Sequence, residues 1–134
     1  SHSRKSVRPF CNVDQYLTNT GMSVGIQNAG MGPMRIQKVV LLANEDDPIQ
    51  NGVPLEEAFP ADLKPEAFVH RYDAYVLAPL LEVELFRCAF GAADEETTTR
   101  LKSFLNGKAL SVAYSDIYDD VYEKKAVLNA AEPR

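Results

Sequence analysis

The stretch Gly21-Met22-Ser23-Val24-Gly25 matches G-x-S-x-G, the turn that exposes a nucleophilic serine in α/β-hydrolases. That chemistry needs a strand before the serine, a helix after it, and an acid and a histidine downstream. His70 and Asp116 do lie downstream, but a turn precedes Ser23 and an alternating strand follows it. Two glycines easing a strand past its neighbour account for the pattern. No catalytic residue is assigned, and the chain is read as non-enzymatic. Gly30-Met31-Gly32 is also glycine-rich, yet the G-K-[ST] ending and the following helix of a phosphate loop are absent. It reads as a hairpin turn in which Gly30 and Gly32 can take positive φ.

Metal chemistry finds little support. There are two histidines, with no H-x-x-x-H and no C-x-x-C spacing. Asp116, Asp119, Asp120 and Glu123 could offer Ca²⁺ hard oxygen ligands, but the D-x-D-x-D-G spacing is missing. The cluster reads as a solvated turn, and neither a metal nor a cofactor is expected. Cys11 and Cys88 fall on different predicted strands. They form either an inter-sheet bond, as in immunoglobulin domains, or two buried free thiols. The second reading is favoured, because the basic start of the chain points to the cytoplasm.

Binding chemistry has better candidates. Tyr114, Tyr118 and Tyr122 recur every four residues across a predicted turn. Tyr118 then sits at the tip, and Tyr114 and Tyr122 are cross-strand neighbours. They form a packed pair, or a stacking platform for a base or peptide, with His70, Arg71 and Tyr72 nearby. Arg35 and Lys38 on a neighbouring strand complete the candidate ligand-binding set: Arg35, Lys38, His70, Arg71, Tyr72 and Tyr118. The formal net charge of −5 argues against a nucleic-acid polymer as partner. A local basic pocket for a small nucleotide remains open.

The elements that must position these residues are mostly strands. From Pro9 to Leu17, Cys11, Val13, Gln15 and Leu17 share one face, and Pro9 suits the start of an edge strand. Val24 and Ile26 alternate with Ser23, Gly25 and Gln27, a half-buried strand. Asn28 to Pro33 is a run of turn formers. Met34 and Ile36 alternate again, and then Val39 to Leu42 is wholly apolar. That change fits either a deeper position or a bulge that re-phases the strand. Pro54 to Phe59 reads as a short helix and Pro65 to His70 as a second, with a short strand from Tyr72 to Leu77. Leu81 to Leu85 alternates cleanly, and Phe86, Cys88 and Phe90 continue on the opposite phase, so a bulge is expected at Leu85–Phe86. Asp94 to Asn106 is the strongest helix, with Asp94 as N-cap, Leu101, Phe104 and Leu105 as its stripe and Gly107 beyond its end. Two closing strands follow, Leu110 to Ser115 and Val121 to Leu128.

The fold class expected is mainly β. It is an immunoglobulin-like antiparallel β-sandwich of about seven strands, with one helix at about 94–106 and a short helical insertion at about 54–70. The predicted organisation is a basic segment (1–8), the sandwich (9–129) and a tail (130–134).

Arg4, Lys5 and Arg8 open an otherwise acidic chain. They read as a solvated terminus, or as the cytoplasmic collar of a preceding transmembrane helix. The chain itself has no apolar run long enough to span a bilayer. Three stretches, SVRPF, GIQNAGMGPMRIQKV and SVAYSDIYDDVY, resemble those of small, uncharacterised bacterial membrane-anchored proteins with an immunoglobulin-like head. The resemblance implies an N-terminal anchor and a sandwich, and it supplies no catalytic residue. The function expected is therefore a non-enzymatic head domain on the cytoplasmic side of a membrane. It would bind a protein or a small molecule, such as a nucleotide signal in defence. The alternative is an oligomerisation module or an extracytoplasmic protein-binding module.

Overall fold

A computed structural model describes residues 7–69, 72–91 and 95–131. Nine strands form two antiparallel sheets. The first sheet joins β1 (Cys11–Leu17), β2 (Gly21–Asn28), β7 (Glu82–Ala89) and the two-residue β5 (Ala67–Phe68), in the order β1-β2-β7-β5. The second is built on β3 (Met34–Leu42), β8 (Ala109–Ser115) and β9 (Val121–Val127). Short strands β4 (Val53–Pro54) and β6 (Val76–Leu77) pair with opposite ends of β3. This strand order is that of an immunoglobulin sandwich, with β1, β2, β7 and β5 as the A-B-E-D sheet and β3, β8 and β9 as C-F-G.

The alternation in the sequence decides which side chains meet between the sheets. Met22, Val24 and Ile26 of β2 face Ile36, Val39 and Leu41 of β3, and all are buried. Each fully buried side chain of this size contributes about 1.5–3 kcal/mol. The expected bulge on β7 is present: Val24 pairs with Phe86 and Gly25 with Glu84, leaving Leu85 as the extra residue. Leu85 and Phe86 both point inward as a result. On β3 the register shifts between Ile36 and Lys38, so Gln37 is the extra residue there. Val40 and Leu42, on the outer face, are buried as well, because the chain after β3 folds back over them. A Cβ on Gly52 would lie 2.5 Å from Val40 Cγ2, and Lys125 Nζ donates to the carbonyls of Glu45 (3.1 Å) and Asp47 (3.3 Å). Both explanations for the apolar end of β3 therefore apply.

The helix α2 (Glu95–Leu105) closes one end, with Leu101 and Leu105 buried. Its predicted N-cap, Asp94, lies outside the described residues. Gly107 has φ 87° just past its end, as the glycine was expected to. The helix α1 (Leu55–Ala58) places Phe59 against Phe68, Phe86 and Phe104, with ring centroids 6.0, 5.2 and 5.5 Å away.

Three expectations change. The second short helix is instead the strand β5, with Phe68 pairing with Phe86 across the sheet; tertiary pairing overrides the local pattern after Pro65. Tyr72–Ala74 is a 3-10 turn, and only Val76–Leu77 is strand. The tail does not begin at residue 130, since Ala130 is fully buried and its amide donates to Asn106 Oδ1. For the cysteines the favoured reading holds and the inter-sheet bond does not, because Cys11 and Cys88 share one sheet. Cys11 pairs with Asn28 at one end of β2 and Cys88 with Met22 near the other, about 20 Å along the strand. No disulfide spans that distance, and both are free buried thiols. Burial pushes each of them up to about 12.

Candidate functional site

Three connections meet at one end of the sandwich: the β2–β3 turn, the segment leading into β7, and the β8–β9 turn. The chain also reaches the fold there, through Val7 to Phe10. The buried side chain of Asn28 ties these parts together. Its Oδ1 accepts the amides of Phe10 (3.3 Å) and Gly30 (3.0 Å), and its Nδ2 donates to the carbonyls of Gly32 (2.7 Å) and Leu77 (2.8 Å). Both donors and both acceptor positions of the amide are used.

The two glycines of this turn have a different purpose from the one expected. Neither has positive φ; among the described glycines only Gly91 and Gly107 do. They are there because the backbone of residues 7–10 lies directly on them. A Cβ on Gly30 would lie 2.4 Å from the Phe10 nitrogen, and one on Gly32 would fall 1.5 Å from the Val7 carbonyl oxygen. Such approach distances exclude any side chain.

The β8–β9 turn has its own buried centre. Asp116 Oδ1 accepts the amides of Tyr118 (2.8 Å) and Asp120 (3.0 Å), and Oδ2 accepts the Tyr122 hydroxyl (2.8 Å). That hydrogen bond holds the Tyr122 proton, so its pKa is raised. Asp119, at φ 63°, completes the tight reversal, a conformation that aspartate tolerates. Tyr114 and Tyr122 are paired in register and stacked, centroids 5.4 Å apart, with the Arg8 guanidinium 4.4 Å from the Tyr122 ring centre. The Tyr114 hydroxyl accepts the Cys11 amide from the opposite sheet (3.4 Å). Of the two expectations for these tyrosines, the structure has the packed pair.

The third connection carries strain. Ala78-Pro79-Leu80-Leu81 is a turn closed by Leu81 N–H to Ala78 O (3.1 Å), and Leu80 has φ 72°. Proline at the second position and positive φ at the third are the signature of a type II turn, whose third position favours glycine or asparagine. Here it holds a leucine, 75 % exposed.

The rigid turns present an apolar surface. The β2–β3 turn exposes Met31, and the β8–β9 turn exposes Ile117 and Tyr118. Tyr75, Val76, Leu80 and Leu81 lie on the approach to β7. Phe10 and Val121 flank them. Among the described residues, the exposed large apolar side chains away from this end are Tyr16, Val53 and Val127.

The predicted site residues separate. Arg35 is at this end, exposed and 3.7 Å from Asp119, and Tyr118 is beside it on the turn. Lys38 lies further along β3, opposite Ala113. Tyr72 is a core residue; burial raises its pKa, and its hydroxyl donates to the Val39 carbonyl (3.4 Å), which leaves its ring no ligand to meet. His70 and Arg71 lie outside the described residues. The cleft between Pro33, Arg35, Val76 and Ile117 holds about 40 Å³, far below the several hundred that a nucleotide needs. A roomier hollow of about 340 Å³ lies at the far end, between Tyr16, Ser23, Glu66 and Arg87, where Arg87 is already paired with Glu66 (3.9 Å) and Glu84 (3.6 Å).

Ser23 sits mid-strand and donates to Glu84 Oε2 (2.6 Å). Cβ atoms on Gly21 and Gly25 would lie 2.5 and 2.8 Å from the carbonyl oxygens of Cys88 and Val83. The glycines of G-x-S-x-G therefore let β2 approach β7, as the sequence reading held. Among the described residues no group of three or more His, Cys, Asp or Glu side chains is placed to hold a metal ion. Sequence reasoning missed Asn28 and Leu80. The signal for Asn28 was the order Asn-x-Gly-x-Gly-Pro, and for Leu80 the preceding proline. No family model, curated protein or solved structure matches the chain.

Proposed function

We propose that the chain is a non-enzymatic binding domain and that its contact surface is the loop end. It is the cytoplasmic head of a membrane-anchored bacterial protein, attached through a segment before Val7. The observation that carries this reading is the gathering of exposed apolar side chains on turns made rigid by Asn28 and Asp116. Exposed apolar patches of this kind mark interaction sites. By topology, the same end carries antigen-contacting loops in immunoglobulin variable domains, which supports the reading by analogy. The size of the cleft at Arg35 favours a macromolecular surface over a small nucleotide. Self-pairing through a sheet edge is the weaker alternative, since the edge strand β9 carries Glu123, Lys124 and Lys125, and charges blunt edge pairing.

The test uses the full-length protein in its own cells, with a photoreactive amino acid at Ile117 or, as control, at Val127. Adducts at 117 and none at 127 are expected. Equal labelling, or none, overturns the contact-end reading. Protease protection of a C-terminal tag in intact cells checks the anchor. A tag that is soluble or digestible from outside removes it.

A further inference from the structure

We infer that the loop end is a lipid-interface contact, with Leu80, Ile117, Tyr118 and Met31 entering the boundary between headgroups and acyl chains. The inference deepens the contact-end reading and rests on it.

Leu80 is the first argument. Its backbone is in the left-handed region, where a glycine or asparagine would sit without strain. Its side chain is 75 % exposed and contributes almost nothing to the core. The fold gains nothing from a leucine here. Strain kept for the sake of an apolar group in water points to something outside the fold that takes up that group.

The shape of the surface is the second. Its apolar side chains stand on the tips of separate turns, and the cleft that Val76 and Ile117 border holds only about 40 Å³. Protein hot spots pair anchors with packed pockets. A bilayer fits itself around isolated projecting tips, and tyrosine is favoured at its interface. Tyr75 and Tyr118 are both placed to sit at that level.

The cations are the third. The Arg8 guanidinium lies over the Tyr122 ring (4.4 Å) and the Lys124 ammonium over the Phe10 ring (5.6 Å), which places both cations on aromatic faces at this end. Val7, which enters the fold on this side, follows Arg4 and Lys5 in the sequence. The net charge of −5 and the Arg35–Asp119 pair limit long-range attraction to anionic lipid. Apolar insertion therefore supplies most of the binding, and salt changes it little.

The chain contains no tryptophan, so one introduced residue reports alone. Ile117→Trp and Met31→Trp probe the loop end, and Val127→Trp the far end. Each is titrated with phosphatidylcholine vesicles, with and without phosphatidylglycerol, and with brominated acyl chains. Blue shift and bromine quenching are expected at 117 and 31 and not at 127. Leu80→Gly and Leu80→Asn should each weaken vesicle partitioning about tenfold. Their melting temperatures should be equal to or above that of the parent chain, because both residues accept positive φ. Silent probes at 117 and 31, equal shifts at both ends, or unchanged partitioning of both Leu80 variants overturn the inference. A shift at 117 that grows with protein concentration and needs no vesicles assigns the surface to a second copy. The lipid inference then fails and the contact-end reading stands. Silent vesicle probes together with absent photo-adducts at 117 remove both.

Discussion

Asn28 and Asp116 are two buried polar side chains at the same end of the sandwich, and they hold different parts of it. Asn28 is neutral, fully buried, and bonded to the segment before β1, to its own turn and to the end of β6. Asp116 is 3 % exposed, and its side chain accepts the amides of Tyr118 and Asp120 and the hydroxyl of Tyr122 around the β8–β9 turn. The first joins parts of the chain that only folding brings together. The second shapes one turn. A buried polar group that bridges distant segments belongs to the cooperative unit, whereas one that serves its own turn sets local geometry.

The largest expected effect is Asn28→Ala. It leaves the Gly32 and Leu77 carbonyls and the Phe10 and Gly30 amides without their partner, and should cost about 3–4 kcal/mol in urea unfolding. Asp116→Ala should cost about 1–2 kcal/mol and increase amide exchange at Tyr118 and Asp120. Equal costs would break the distinction between the two centres. Between them stands Gly32→Ala. Its Cβ would meet the Val7 carbonyl at 1.5 Å, so residues 7–10 must lift away, at about 2–3 kcal/mol. Exchange protection should then vanish at Met31 and Ala29, whose amides donate to Arg8 and Phe10.

The thiols sharpen the same contrast. Cys11 pairs with Asn28, and Cys88 lies at the opposite end of the sheet. Both should resist a thiol reagent at pH 8 in the parent chain. Cys11 alone should become reactive in Asn28→Ala, and neither in Asp116→Ala. The pH dependence follows from the raised values. Thiols ordinarily ionise near 9, and burial holds these to about 12. Their contribution is complete below pH 9, where both states keep the proton. It is lost as pH rises from 9 towards 12, because the unfolded chain ionises and the folded one cannot. Stability should therefore fall across that window, less steeply when both cysteines are replaced by alanine.

The strands could be read from the sequence because alternation is local. Val24 and Ile26, and the phase change at Leu85–Phe86, hold their period-2 information within a few residues. The helix over Glu95–Leu105 was legible for the same reason. What could not be read depends on partners far along the chain. Gly30 and Gly32 look like turn glycines until residues 7–10 are placed on them. Cys11 and Cys88 read as free thiols from the sequence, but only the strand order shows that they share one sheet. Tyr72 looks like a surface aromatic until β3 covers it. Of the loop end, the tip position of Tyr118 and the strand position of Arg35 were legible. The apolar surface around them was not, because its side chains come from four separate stretches.

Ser111 and Ser115 give the smallest and most discriminating pair. They stand on the same outer face of β8, both 1 % exposed. Ser115 Oγ accepts a hydrogen bond from Gln37 Nε2 (2.7 Å), supplied by the extra residue of the β3 bulge. Among the described residues, the Ser111 hydroxyl is a buried side-chain group without a partner. It faces Val40 and Lys125 beneath the connection that follows β3. A hydroxyl kept from water without a hydrogen bond costs free energy, so removing it is neutral or favourable, whereas removing a bonded one is not. Ser111→Ala should leave stability unchanged or raise it by up to about 1 kcal/mol, and Ser115→Ala should lower it by about 1 kcal/mol. Thermal unfolding of the two variants side by side reads the difference. A loss at Ser111 equal to that at Ser115 would mean that its hydroxyl holds a bridging water under the roof of the β3–β4 connection.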